Sequence, residues 1–177
     1  DRLLVNIKRI NILINESNSK RFPDVVLVEF EKTAQAISTY ASTSIEGNPL
    51  PLTEVKKILK SRPTHIRDSE REVLNYNKAL QDLNQKLEAG RVKLTLDLIL
   101  KIQKQVTVGL LPEFESGKLR EQPVVVNDPR TTQVVYLPPD AKDVKNLLEE
   151  LIEFVNNNRN KIDALIFAGI FHKKMVT

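Results

Sequence analysis

Apolar residues recur about every three to four positions along most of the chain, which is the spacing of one face of an α-helix. This period predicts helices over 2–15, from Pro23 to about Glu46, from Thr53 through Leu59, from Asp68 or Ser69 to about Glu88, from Thr95 to near Gly109, and from Ala141 to about Asn156. Thr53 and Asp140 are expected to cap their helices. The very apolar stretch 161–177 predicts a last helix at the centre of the core.

The period changes between residues 123 and 139. The stretch PVVVNDPRTTQVVYLPP holds two β-branched runs around NDPR, which predicts an antiparallel hairpin with a loop of about four to five residues. Pro123 and the pair Pro138–Pro139 flank the runs, and this favours an exposed ribbon over a buried sheet. The predicted fold class is all-α, a helical bundle that carries one β-hairpin.

Composition narrows the classes of protein and of site. The 177 residues suit one domain, with or without an appendage, and 41% hydrophobic with 28% charged residues is ordinary for a soluble globular protein. The absence of Cys excludes a disulfide scaffold and a Cys-ligated zinc site. Two histidines are too few for a His-rich cluster, so no metal site is predicted. His172 is expected to be structural on the last helix, and His65 to lie at the surface.

The net charge of +4 and the pI near 9.2 make the chain mildly basic. Its Lys and Arg residues alternate with acids along the sequence, which favours a solvated surface over a nucleic-acid-binding face. The sequence contains no run of 18 apolar residues and no signal-peptide pattern at its start, so we expect no membrane span and a cytoplasmic location. Assembly into a homo-oligomer stays open.

A candidate regulatory motif ends the second predicted helix, in the stretch STSIEG. Ser42 and Glu46 are four residues apart and share one helix face. Gly47 suits the left-handed position after a helix. Glu46 is expected in the last turn, where the helix dipole disfavours a carboxylate by about 0.3–1 kcal/mol. On these six residues alone, a solvent-exposed helix end is the preferred interpretation.

The surrounding sequence changes that interpretation. STSIEGNPLPLTEVKKIL resembles the inhibitory helix and following turn of Fic-domain proteins, the enzymes that transfer AMP from ATP to protein hydroxyls. Four further segments resemble the same family in the same order, over about residues 25–177: REVLNYNKAL, SGKLREQPVVV, VVYLPPDAKDVKNLLEELIEF and ALIFAGIFHKKMVT. In the family, the segment SGKLREQ carries a Gly-x-x-Arg pattern, and the last segment leads into the signature His-Pro-Phe-x-[Asp/Glu]-Gly-Asn-Gly-Arg.

The resemblance implies a division of roles along the chain. Residues 1–60 are expected to form a helical region with the inhibitory helix, and residues 61–177 the first part of a Fic domain. Ser42, Glu46 and Gly47 are the expected inhibitory residues. By resemblance, Glu46 pairs with an Arg of the signature that would otherwise bind the ATP γ-phosphate. The hairpin is the expected flap that docks the target, through Val124, Val125, Val126, Thr132, Gln133, Val134 and Val135.

The signature is absent from the 177 residues, so no catalytic residue is assigned in this chain. By resemblance, the parent protein is expected to use ATP and Mg²⁺ and to modify a Ser, Thr or Tyr hydroxyl of a target protein. Two alternatives remain: a helical protein-interaction module without transferase activity, and, less favoured, a nucleic-acid-binding helical domain. Residues after Thr177 would separate the transferase from the interaction module.

Overall fold

The computed structural model describes residues 2–61, 65–90, 92–128 and 130–176. Within these ranges the chain forms seven helices and one two-stranded hairpin, so the predicted fold class is confirmed. The order is α1 (Arg2–Asn18), α2 (Asp24–Ile45), α3 (Leu52–Ser61), α4 (Asp68–Glu88), α5 (Leu96–Thr107), β1 (Val126–Asn127), β2 (Val134–Tyr136), α6 (Ala141–Asn158) and α7 (Ala164–Val176).

The helices begin close to the predicted positions, but the two predicted caps are not formed. Thr95, the predicted start of α5, caps that helix, since its Oγ1 accepts a hydrogen bond from Leu98 N at 3.1 Å. Thr53 does not cap α3, because the helix begins one residue earlier and the carbonyl of Pro51 already accepts the first N–H groups. Asp140 precedes α6 without a side-chain cap, since its carboxylate pairs with Lys142 Nζ at 3.2 Å instead.

A small core forms where the end of α2 meets α3 and α4. Its fully buried members come from the turn after α2, from α3 and from α4: Leu50, Val55, Ile58 and Val73. Tyr40, Leu59 and Leu74 pack around them. Burial of this cluster at about 25 cal/mol per Å² fixes the end of α2 against α3 and α4. In the segment that joins α2 to α3, Asn48 and Leu50 are therefore buried.

The prediction that the last helix is central to the core is wrong. No residue of α7 is fully buried, and Leu165 retains 47% of its exposure. Among the described residues α7 packs mainly on α6, with the rings of Phe154 and Phe167 5.9 Å apart. An apolar sequence is buried only where other elements cover it, and one neighbouring helix leaves most of α7 open. His172 is correspondingly exposed rather than structural, whereas His65 is exposed as predicted.

The hairpin is shorter than its β-branched runs. Val126 pairs with Tyr136 and Asn127 with Val134, with an irregular register between the two pairs. Val124 and Val125 precede β1, and residues 128–133 separate the strands, so the loop is longer than predicted. No helix among the described residues is both long and apolar enough to cross a membrane.

Candidate functional site

The end of α2 has the geometry of a Schellman motif. Ile45 is the last helical residue and Glu46 occupies the cap, one position later than predicted. Gly47 N donates to Ser44 O at 3.1 Å, and Asn48 N donates to Thr43 O at 3.0 Å. Gly47 has φ +95°, a conformation that costs an L-residue side chain free energy, so glycine is required at this position. The predicted role of Gly47 in the turn is confirmed.

The Glu46 side chain is exposed at this helix end. Its carboxylate accepts no hydrogen bond and forms no ion pair with any other described residue. Because the negative end of the helix dipole also disfavours an anion here, the fold gains nothing from the charge. The turn fixes the backbone that carries this carboxylate, and its oxygens are available to a cationic group.

Ser42 lies one turn before Glu46 and is half-buried. Its Oγ accepts a hydrogen bond from Tyr76 Oη on α4 at 2.8 Å, a distance in the usual range for two hydroxyl groups. Ser42 therefore does not bond to Glu46 in this structure. It connects the end of α2 to α4 instead.

This contact belongs to a row of polar pairs between α2 and α4. Positions rise along α2 while they fall along α4: Gln35 with Gln81 at 3.4 Å, Thr39 with Asn77 at 3.4 Å, and Ser42 with Tyr76 at 2.8 Å. The two helices therefore run in opposite directions where they meet. Such a row fixes the rotation of α2 about its own axis, and so fixes the direction of the face that carries Ser42.

Asn48 attaches the turn after Glu46 to the first part of α4. It is only 8% exposed. Its Nδ2 donates to Ser69 O at 2.8 Å and to Glu72 Oε2 at 2.7 Å. Its Oδ1 accepts from Leu50 N at 3.1 Å. Every polar atom of the buried amide is thus bonded, as a buried polar group requires.

The base of the hairpin is closed by Arg120. Its guanidinium donates to Gln122 O at 3.3 Å on the entering chain and to Pro139 O on the leaving chain. Gly117, three residues earlier, has φ +76°, and a Cβ there would lie 2.9 Å from Lys104 Cβ. The Gly-x-x-Arg segment therefore has a physical basis: the glycine turns against α5, and the arginine joins the two ends of the hairpin.

The hairpin itself projects its side chains into solvent. The predicted docking residues are all exposed: Val124, Val125, Val126, Thr132, Gln133, Val134 and Val135. Thr132 has φ +57°, a rare conformation for a residue with a branched Cβ, at the tip between the strands. Because a two-stranded ribbon has two outer edges, it offers backbone donors and acceptors to an extended chain.

Two carboxylates of α4 form ion pairs close along the chain, Glu70 with Arg67 and Asp82 with Lys78. The hydrogen bond from the Arg67 guanidinium, 2.7 Å away, holds the pKa of Glu70 below its usual value at the start of α4. Hydrogen bonds from Lys78 and Gln105 likewise lower the pKa of Asp82, between α4 and α5. Both carboxylates therefore stabilise the fold when ionised. No group of three or more metal-binding side chains occurs among the described residues.

The chain is similar to curated proteins named protein adenylyltransferase Fic. It is 26% identical over 167 residues to that of Drosophila mojavensis, covering 92% of this chain and 30% of the relative. It is 25% identical over 150 residues to that of Drosophila grimshawi, covering 82% of this chain and 29% of the relative. The chain thus spans under a third of the length of these relatives. No protein-family model matches it.

Solved structures show the same likeness. A Fic-domain-containing signaling protein from Bacteroides thetaiotaomicron superimposes with a TM-score of 0.78 at 17% identity, over 94% of this chain and 62% of that one. The resemblance to Fic-domain proteins is confirmed. A Fic family protein from Desulfovibrio desulfuricans superimposes with a TM-score of 0.69 at 21% identity, over 98% of this chain and 49% of that one.

Sequence reasoning located Ser42, Glu46 and Gly47 but missed the residues that hold them. Nothing in the sequence around Tyr76 indicates that its hydroxyl bonds to Ser42. Asn48 stands between Gly47 and Pro49, a setting that indicates a turn. A buried amide is indistinguishable from a turn-forming one in sequence when its partners lie more than 20 residues away. The structure brings Ser42 and Asn48 together with α4.

Proposed function

We propose that residues 1–177 are part of a Fic-type protein adenylyltransferase whose activity is restrained by Glu46. The parent protein would transfer AMP from ATP to a Ser, Thr or Tyr hydroxyl of a target protein. The general base and the phosphate-binding loop would come from outside these residues. The sequence likeness to proteins named adenylyltransferase supports the reaction class.

The observation that carries the regulatory part is the unpaired carboxylate of Glu46. It lies at a helix end closed by a hydrogen-bonded turn and has no partner among the described residues, although the helix dipole disfavours it there. A charge kept at a cost to the fold suggests a function beyond stability. The Schellman turn and the contacts of Ser42 and Asn48 hold its backbone in one place.

The restraint follows from the chemistry of carboxylates and phosphates. Both are anions that only accept hydrogen bonds, and both fit the fork of an arginine. A carboxylate that holds the arginine needed by the γ-phosphate leaves the triphosphate misplaced. A displacement of about 1 Å can cost about 10²-fold in rate, because the attacking oxygen and leaving group must be in line.

The described residues contain no group of three or more His, Cys, Asp or Glu side chains that could hold Mg²⁺. If the parent protein uses Mg²⁺ with ATP, its ligands must come from the nucleotide and from residues beyond those described. We therefore assign the metal no site here and derive no step through it.

The hairpin would hold the target by β-strand addition. An extended segment of the target would pair with an outer edge of the ribbon, so that backbone hydrogen bonds position the hydroxyl with little reading of side chains. The exposed side chains of Val126 and Val134 would lie along the bound segment. Arg120 would keep the ribbon from splaying when the target binds, because it joins both of its ends.

The proposal is tested with labelled ATP, Mg²⁺ and candidate target proteins. We expect the whole parent protein to attach AMP to hydroxyl side chains, identified by mass spectrometry. Residues 1–177 alone should attach none, since they supply neither a base nor a phosphate loop. Incorporation by residues 1–177 above a no-protein control would show that the active site is misplaced. If the parent protein attaches no AMP even after Glu46 is replaced, the alternative of a helical protein-interaction module without transferase activity is favoured.

A further inference from the structure

Asn48 makes more hydrogen bonds than the turn itself requires. The Schellman turn needs only its backbone N–H, which donates to Thr43 O at 3.0 Å. The side chain adds three bonds, and two of them reach α4, at Ser69 O and Glu72 Oε2. The turn would close without these two bonds. Their effect is to attach the end of α2 to α4.

We propose that Asn48 is a positioning residue of the autoinhibition, which holds Glu46 in its inhibitory place by attaching the end of α2 to α4. This inference rests on the proposed function, because it describes how the same carboxylate is kept in position. Asn48 lies two residues from Glu46, and we propose no contact between Asn48 and the nucleotide. It acts only through the backbone that carries Glu46.

The side chain of Glu46 does not hold its own helix end in place. Its carboxylate has no described partner, so nothing in its own side chain resists fraying of the last helical turn. The ends of helices fray readily, since their terminal groups lack intrahelical partners. Gly47, with φ +95°, adds a residue of high backbone freedom directly after it. Beyond the glycine, the side chain of Asn48 attaches this end to α4.

The contact requires an amide. Its nitrogen donates to a carbonyl and to a carboxylate, while its oxygen accepts from Leu50 N. Aspartate has the same shape but no donor, and it would place a second carboxylate about 3 Å from that of Glu72, where like charges repel. Alanine would leave Ser69 O without this donor. Of the residues with this shape, only asparagine satisfies all three partners.

Loss of the attachment should release part of the restraint. We expect Asn48→Ala in the parent protein to raise the initial rate of AMP transfer by about 5- to 30-fold, the factor that corresponds to one or two kcal/mol. The rise should be smaller than that of Glu46→Gly, because a frayed end still visits the inhibitory position. Glu72→Ala, which removes one of the three side-chain bonds and leaves the turn intact, should raise the rate by a smaller factor.

The experiment is a double-mutant cycle on the initial rate of auto-modification by the parent protein. The variants are Glu46→Gly, Asn48→Ala, their combination, and Glu72→Ala, with melting curves for each. Asn75→Ala is the matched control. It removes another α4-linked asparagine that donates two hydrogen bonds, to Val106 O and Val108 O, but these are unconnected with the end of α2.

The expected result is activation by Asn48→Ala in the wild-type background and none in the Glu46→Gly background, with Asn75→Ala unchanged in rate. A rate rise of equal size in both backgrounds would overturn the inference, since Asn48 would then act independently of Glu46. Activation by Glu46→Gly without activation by Asn48→Ala or Glu72→Ala would also overturn it, while leaving autoinhibition intact. Equal rates for wild type and Glu46→Gly would overturn autoinhibition itself.

Discussion

The hydrogen bond between Tyr76 and Ser42 can be removed by taking away one oxygen atom. Tyr76→Phe keeps the ring and its packing and deletes only the hydroxyl that donates to Ser42 Oγ at 2.8 Å. No cavity of side-chain size is created, so the change in stability reports the bond and not lost packing. A net intramolecular hydrogen bond contributes about 0.5–1.5 kcal/mol to the free energy of unfolding.

That magnitude predicts a measurable shift in melting temperature. One kcal/mol moves the melting temperature of a chain of this size by about 2–4 °C, so we expect Tyr76→Phe to lower it by about 1–6 °C. Ser42→Ala should have a similar effect. The double variant should cost less than the sum of the single variants, with a coupling energy of about 0.5–1.5 kcal/mol, since either change already breaks the same bond.

The assay is urea unfolding of the 177-residue chain followed by circular dichroism, with Tyr40→Phe as the control. Tyr40 packs beside the same core, but its hydroxyl makes no hydrogen bond with the described residues, so its removal should be nearly neutral. A coupling energy near zero would refute the reasoning. Equal losses for Tyr76→Phe and Tyr40→Phe would refute it too, because the loss would then not depend on the hydrogen bond to Ser42.

Three further outcomes are expected. Val125→Pro combined with Val134→Pro should lower target modification by the parent protein, because each removes a backbone donor of the ribbon; a wild-type rate would rule out edge docking. Gly47→Ala should lower the free energy of unfolding by about 1–2 kcal/mol, since φ is +95° and no atom otherwise opposes a Cβ; unchanged unfolding would contradict the turn. Stability should be full above about pH 4 and fall at lower pH as Glu70 and Asp82, whose pKa values are lowered in the fold, become protonated; flat urea unfolding from about pH 6 to 2 would contradict this.

Features set by neighbouring residues were predictable from the sequence. The helix period gave the seven helical segments to within a few residues, and Gly47 gave the left-handed turn, because both depend on local backbone geometry. The position of Glu46 at a helix end follows from the same local signals.

Features set by distant contacts were not predictable. The hydroxyl of Tyr76 bonds to a residue 34 positions away, and the amide of Asn48 to residues 21 and 24 positions away. The exposure of α7 depends on which elements lie beside it, which its apolar sequence does not specify. The hairpin is short because pairing needs a matched register on both strands, and β-branched content alone does not provide that register.

The most direct test of autoinhibition compares initial rates of auto-modification for the parent protein and its Glu46→Gly variant. The account predicts a rise of at least about tenfold with the variant, since the arginine becomes free to place the γ-phosphate for in-line transfer. Melting should change little, because the exposed Glu46 side chain makes no described contact. Glu88→Gly, the same change at the exposed last residue of α4, should leave the rate unchanged. Equal rates for wild type and Glu46→Gly, with unchanged melting, would contradict the account and leave Glu46 as an ordinary surface residue.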